Sequence, residues 1–371
     1  MGTSDYKLFT PLALGDGLVL QNRIVHGPLT RARSEIETRA PLEANAAYYE
    51  QRASAGLIIT ESTSVSAQGH GWYGAPALYN DDQAEAWRRV VERVHARGGK
   101  IFLQVWHMGR QSHPSFHPNG DVVSASATCY EEGYTRNADG ERVNFETARA
   151  LEIDEIPGIV DDFRKCAERA KDVGFDGIEV NASGGYLIAQ FLQSCTNQRT
   201  DRYGGSFENR VRFLLEIIES LLTVWPPHRI GVRLGPNSVY GGMGSVDNPE
   251  LYTYAFEQLS KYGIAYVAIQ DGKAFGFTDK CRLLTTFDVK QAFKGFVMGN
   301  VGYTRDIAEG ALRSGSADLI GFGRMYMSNP DLAERFLYDW PLAPVIDRQY
   351  WWDAVAGTDG YLGHPAYSKC G

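Results

Sequence analysis

The stretch G177-I-E-V-N-A-S-G-G-Y-L-I-A-Q-F-L192 decides the fold. It opens as a buried strand, with Ile178 and Val180 apolar, and breaks at small and polar residues from Asn181 to Gly185. Apolar spacing then resumes at Leu187, Ile188, Phe191 and Leu192 with a helical period. A short apolar run followed by that period is a strand feeding a helix. At the junction stand Asn181, Gly184 and Tyr186: an amide, an open backbone and a phenol just past a strand's C-terminal end.

The same unit recurs on both sides. The pattern predicts strands at 23–26, 57–60, 101–106, 177–180, 230–234, 265–269, 296–299 and 319–322. It predicts helices at 41–55, 82–97, 157–173, 206–225, 248–262, 286–294, 304–314 and 329–337. Near-continuous apolar strands alternating with helices give a parallel sheet covered by helices. Eight units match a closed α/β barrel of the (β/α)₈ TIM type in one domain, 1–371. An open doubly wound sheet has fewer units and a Gly-rich first turn, and no G-x-G-x-x-G follows the first strand here. Residues 8–20 read as an N-terminal hairpin turning at Gly15-Asp16-Gly17 and plugging the barrel bottom. Segment 110–152, polar and turn-rich, reads as a long excursion after the third strand, of a kind that is often functional.

Composition narrows the class of partner. With 371 residues, 43% hydrophobic and 22% charged, the chain can bury a large core. A net charge of −8 without a basic block argues against nucleic acid. The five cysteines (Cys129, Cys166, Cys195, Cys281, Cys370) are scattered without a CxxC, as free thiols in a reducing compartment are. The start MGTSDYKLF lacks a secretory pattern, Tyr6 breaks a myristoylation signal, and Cys370 is too near the end for prenylation. No apolar run approaches a membrane span. The expectation is a cytoplasmic protein, monomer or homodimer, acting on a small molecule.

In such a barrel the chemistry sits at the strands' C-terminal ends. There the chain places Pro28 and Thr30, Ser62, Gln104 and Trp106, Asn181 with Gly184 and Tyr186, Arg233, Gly299-Asn300, and Gly323-Arg324. This set suits a flat polar heterocycle bearing a phosphate. Gln offers donor and acceptor, and Thr a hydroxyl. Arg233 supplies a fixed cation, and the last two loops are the usual phosphate site of the fold. Singly these residues are weak signals: Arg233 alone reads as an interior ion pair and Tyr186 alone as a buried tyrosine. His107, His113 and His117 lie in loop sequence without a Cys or carboxylate to complete a set, so no metal is expected. The sequon Asn181-Ala182-Ser183 carries no weight without secretion.

Several long motifs add a resemblance: N22-R-I-V-H-G-P-L-T-R31, Y49-E-Q-R-A-S-A-G-L-I-I-T-E61, Q104-V-W-H-M-G-R110, T200-D-R-Y-G-G-S-F-E-N-R210, G321-F-G-R324 and S328-N-P-D-L332. The tail D359-G-Y-L-G-H-P-A-Y367 belongs with them. From about Phe9 to Tyr367 the chain resembles the Old Yellow Enzyme family of FMN-dependent ene-reductases, including its oxophytodienoate-reductase-like branch. The resemblance implies FMN, with NADPH or NADH as electron donor, and an enone, nitro-olefin or quinone as acceptor. It implies FMN contacts at Pro28, Thr30, Gln104, Arg233, Gly299, Asn300, Gly323 and Arg324, with Ser62 where a Gly or Ala is usual. It places Trp106 on the substrate side, Phe275 as a cap, and Trp352 where the family has a Tyr. Tyr186 falls on the family's proton donor. The family's His and Asn/His clamp for the substrate oxygen falls on Asn181 and Gly184. That departure implies weakened activity toward ordinary enones, a quinone or nitro reductase or an isomerase, or a flavin binder with little catalysis.

Overall fold

The computed structural model describes residues 5–272 and 276–368; Phe275 and Cys370 lie outside them. Eight parallel strands form the barrel: β1 (Ile24–His26), β2 (Leu57–Ile59), β3 (Ile101–Trp106), β4 (Gly177–Ala182), β5 (Ile230–Leu234), β6 (Tyr266–Gln270), β7 (Phe296–Asn300) and β8 (Leu319–Phe322). Each pairs with the next, β8 pairs with β1, and no barrel edge is left open. At the β3–β4 seam Gly177 faces Phe102 and Glu179 faces Gln104. A closed sheet has no free ladder edge to protect, so the charges its strands do carry, Glu179 and Arg233, are free to serve the interior.

The helices are α1 (Glu43–Glu50), α2 (Asp81–Ala96), α3 (Ile156–Val173), α4 (Leu187–Leu192), α5 (Phe207–Leu222), α6 (Asn248–Ser260), α7 (Thr286–Ala292), α8 (Arg305–Ser314), α9 (Arg324–Ser328) and α10 (Leu332–Tyr338). Their apolar faces explain their positions. In α3 the residues Ile156, Ile159, Phe163, Cys166, Ala167, Ala170 and Val173 are buried, three or four apart, against the barrel's outer wall. Asn80 starts α2 by accepting from the Gln83 backbone N–H at 2.9 Å.

The N-terminal hairpin pairs Leu12–Gly15 with Leu18–Leu20. Its Leu12, Leu14, Leu18 and Leu20 are buried among Val25, Leu57, Phe102, Tyr266, Met298 and Leu319, the lower layer of the barrel interior. The excursion after β3 holds two short 3-10 turns, a small hairpin (Tyr134–Arg136 with Arg142–Asn144) and a two-residue pairing of Val123–Ser124 with Arg149–Ala150.

Strand and helix positions follow the sequence pattern, with shifts at their ends. The helix expected over 41–55 stops at Glu50, and β4 runs on to Ala182. Helix α9 was not expected: five residues between Gly323 and Asn329-Pro330 are too few to show a period.

Candidate active site

Above the plug, the barrel's upper interior is polar. Gln104 Nε2 donates to Glu179 Oε1 at 2.6 Å, and the Tyr266 hydroxyl donates to Glu179 Oε2 at 2.8 Å. Glu179 is fully enclosed, so burial raises its pKa while the nearby Arg233 pulls it back down. Arg233 Nη2 donates to Asn300 Oδ1 at 2.9 Å, and Asn300 Nδ2 donates to the Gly321 carbonyl at 2.9 Å. Three strands, β5, β7 and β8, are thus tied by side chains aimed inward. One arginine nitrogen, Nη1, is buried with no partner among the described residues. A buried guanidinium N–H without an acceptor is costly unless something else meets it.

That arginine lines a cavity of about 620 Å³ at the strands' C-terminal ends. Of the expected site residues, Pro28, Thr30, Ser62, Gln104, Asn181, Gly184, Tyr186, Arg233, Asn300, Gly323, Arg324 and Trp352 line it. Two do not. Gly299 faces the other way: a Cβ there would meet the Tyr303 hydroxyl and Thr286, so this glycine makes room for a side chain rather than a ligand. The backbone that reaches the cavity after β7 is Val301-Gly302-Tyr303. Trp106 is buried behind the wall, its Nε1 donating to Ser64 Oγ at 3.2 Å and its ring edge-on to Tyr186 at 4.5 Å between centroids. It props the tyrosine, and Trp72, which packs on Trp106 and on Trp352 at 6.2 Å each, forms the exposed aromatic wall.

Asn181 is engaged on all sides. Its Nδ2 donates to Ser62 Oγ at 3.1 Å and to Gln104 Oε1 at 3.4 Å, and its Oδ1 accepts from the Ser183 backbone N–H and hydroxyl. Ser62 in turn donates to Gln104 Oε1. The amide therefore braces the floor of the cavity. Gly184 has φ +63°, and a Cβ there would stand 2.8 Å from the Tyr186 ring. The ring occupies the space that a side chain at 184 would need. Tyr186 is nearly buried; burial raises its pKa well above 10, so it holds its proton. Tyr240, from the loop after β5, also lines the cavity and shares a side-chain hydrogen bond with Tyr186.

At the far end Gly302, Gly323 and Arg324 line the wall, with the Arg324 guanidinium 5.8 Å from the Trp351 ring centroid. An FMN fits this arrangement on chemical grounds. The unpartnered Arg233 nitrogen meets an anionic or carbonyl edge, and Gln104 and Thr30 offer hydrogen bonds to a heterocycle. Arg324 offers charge to a phosphate. Sequence reasoning missed Trp72, Tyr240 and Trp351, which lie outside the strands and helices without a periodic or motif signal, and Gln270, the last residue of β6. Among the described residues no cluster of His, Cys, Asp and Glu forms a metal site.

Comparison with known proteins agrees with this geometry. The model of the NADH:flavin oxidoreductase / NADH oxidase family matches residues 7–342. The 12-oxophytodienoate reductase 2 of Arabidopsis thaliana is 38% identical over 359 residues, 95% of this chain and 95% of that protein. The putative 12-oxophytodienoate reductase 11 of Oryza sativa subsp. japonica is 37% identical over 342 residues, 92% of each. Among solved structures, an Old Yellow Enzyme homologue from Zymomonas mobilis superposes with a TM-score of 0.92 at 38% identity, covering 97% of this chain and 100% of that one. Morphinone reductase in complex with tetrahydroNAD gives 0.89 at 39% identity, covering 98% of both chains. With the polar floor, the phosphate end and these matches along its length, the chain belongs to the NADH:flavin oxidoreductase / NADH oxidase family, the FMN enzymes of Old Yellow Enzyme type.

Proposed function

We propose that this enzyme takes electrons from NADPH or NADH and reduces activated C=C bonds of α,β-unsaturated carbonyl or nitro compounds, with Tyr186 as the proton donor. The observation that carries the residue assignment is the protonated Tyr186 phenol on the wall of a cavity whose floor is Gln104, Arg233 and Asn300. When bound, FMN would supply the hydride chemistry that links the nicotinamide to the acceptor's β-carbon. Arg233 would hold the cofactor's electron-rich edge with a fixed positive charge, and Gln104 and Thr30 would fix the ring's orientation. Trp72, Trp352 and Tyr186 enclose the acceptor and exclude water. Tyr186 then hands its proton to the α-carbon. The acceptor is a small molecule, and the scattered cysteines without a CxxC suit an enzyme working in a reducing compartment such as the cytoplasm.

A second reading, reduction of quinones or nitro groups, is favoured by the engaged Asn181 amide and the bare Gly184. Such acceptors need less polarisation from the protein, because their oxygens take protons from water. The test is Tyr186→Phe, followed by stopped flow in both half-reactions. The account expects flavin reduction by NADPH to be nearly unchanged and reoxidation by an enone to fall by about 10²–10⁴. A large loss in the reductive half, or none with the enone, would make Tyr186 a packing residue.

A further inference from the structure

Tyr186 faces a difficulty after it gives up its proton. Its phenol is enclosed by Trp106 and the wall of the cavity, and burial disfavours a charged oxygen there. The groups acting on it are that burial and Tyr240, with no cation beside it among the described residues. Turnover requires the proton to come back without a free phenolate being left in an apolar pocket.

The chain brings a second phenol to it by an unusual pairing of loops. Tyr186 follows Gly184-Gly185, with φ of +63° and +71°; Tyr240 precedes Gly241-Gly242, with φ of +73° and +72°. A Cβ on Gly185 would stand 3.0 Å from the Tyr240 carbonyl and from Gly241, so only glycine lets the two turns touch. The root of the excursion after β3 clasps them from behind. Gln111 Nε2 donates to the Gly184 carbonyl at 2.6 Å, and Arg110 Nη2 donates to the Gly241 carbonyl at 2.9 Å. The resulting contact is the hydrogen bond between the two hydroxyls. Tyr240 is half-buried and Tyr186 nearly closed off, and burial raises both phenols, so both hold their protons.

We propose that Tyr240 is a proton relay, returning to Tyr186 the proton that Tyr186 gives to the substrate. This rests on the reading of Tyr186 as the donor. The balance is simple. Hydride arrives with its electron pair at the β-carbon, leaving an enolate. The Tyr186 O–H bond breaks as the α-carbon–H bond forms. The Tyr240 O–H breaks as that of Tyr186 is restored, and water protonates Tyr240. Tyr240 touches no reacting atom, so it positions and recharges the donor.

The test uses the FMN-loaded enzyme, reduced with NADPH and reoxidised in stopped flow by 2-cyclohexenone or 1,4-benzoquinone, in Tyr186→Phe, Tyr240→Phe and the double variant. With flavin content unchanged, Tyr240→Phe is expected to slow the enone step by roughly 10- to 10²-fold, at or below the low end for a lost proton-transfer group because water partly substitutes. Benzoquinone should be spared, and the double variant should be no slower than Tyr186→Phe. In mixtures of H₂O and D₂O the unaltered enzyme should show a bowed rate dependence, from two protons in flight, and Tyr240→Phe a straight one. That solvent measurement on the unaltered enzyme stands even if the variant folds poorly. Full enone activity in Tyr240→Phe, losses that multiply in the double variant, an equal loss with benzoquinone, or a straight dependence in the unaltered enzyme would overturn the relay while leaving Tyr186 as donor. No enone loss in Tyr186→Phe would overturn the donor reading itself, and the relay with it.

Discussion

Arg233 sits where three demands meet: it binds Asn300, faces Glu179, and keeps one buried nitrogen for a ligand. Arg233→Ala should weaken FMN retention by about 10- to 100-fold, the worth of a charged hydrogen bond, and slow reduction by NADPH. FMN content after gel filtration and anaerobic reduction rates check this; unchanged values would remove Arg233 from the cofactor site. Gly184 carries the opposite kind of constraint. An Asn there, half of the clamp that the family resemblance implies, is tolerable for the backbone at φ +63°, but its Cβ meets the Tyr186 ring at 2.8 Å, and Trp106 blocks the ring's retreat. Gly184→Asn is therefore expected to slow enone reoxidation, by displacing the proton donor, rather than to speed it. A faster variant would show that the clamp limits the enzyme and the tyrosine can move. Most of the cavity's polar residues could be named from sequence because each stands near or just past the C-terminal end of a barrel strand. Their roles were less legible. That Asn181 braces Ser62 and Gln104, and that Trp106 stands behind Tyr186, depends on side-chain direction, which spacing along one chain does not carry.

The same limit shows at the level of elements. Strands and long helices declare themselves through period, and the N-terminal hairpin through its apolar alternation around Gly15-Asp16-Gly17. The hairpin's job follows from its burial. Leu18→Ala removes a side chain that is 2% exposed among Leu57, Phe102 and Tyr266, and should cost about 2–5 kcal/mol of stability. Because the plug lies below the polar floor, folded Leu18→Ala protein should keep its full FMN content. Chemical denaturation and flavin absorbance read the two effects separately, and a stability-neutral variant or a loss of flavin would contradict this division of the barrel. Loops are where the sequence fell short. The pairing of G184-G-Y186 with Y240-G-G242 is visible once the two turns are seen in contact, but the 53 residues between Tyr186 and Tyr240 give no hint that they meet.

For the molecule as a whole, buried titratable groups set the response to acid. Burial lowers His26 and His107 to about 3, against an ordinary 6.5, so the native state keeps both neutral while the unfolded chain takes up protons below 6.5. Their contribution is full above pH 6.5 and is lost as pH falls toward 3. Glu61, raised by burial to about 7 from 4.5, acts the other way, its share being full below 4.5 and lost as pH rises to 7. His70 and His117 are lowered too and add to them, whereas Asp271, raised by burial to about 6, and Glu179, also raised, side with Glu61. Four histidines against these three carboxyls leave a net fall in stability on acidification from pH 6.5 to 4.5, smaller than the histidines alone would give. Scanning calorimetry across that range checks it, and a flat or rising Tm would contradict it. The barrel class was legible because eight repeated units leave few ways to cover a parallel sheet, and the cofactor followed from what lay at their ends. The acceptor's identity was not, since loops and aromatic walls select it. The most direct test of the whole account is an anaerobic titration. The purified protein is reduced with NADPH until its flavin colour bleaches, and 2-cyclohexenone is then added without oxygen. The account predicts return of the oxidised flavin with one cyclohexanone formed per FMN. A protein without FMN, or a reduced flavin that no enone reoxidises, would contradict it.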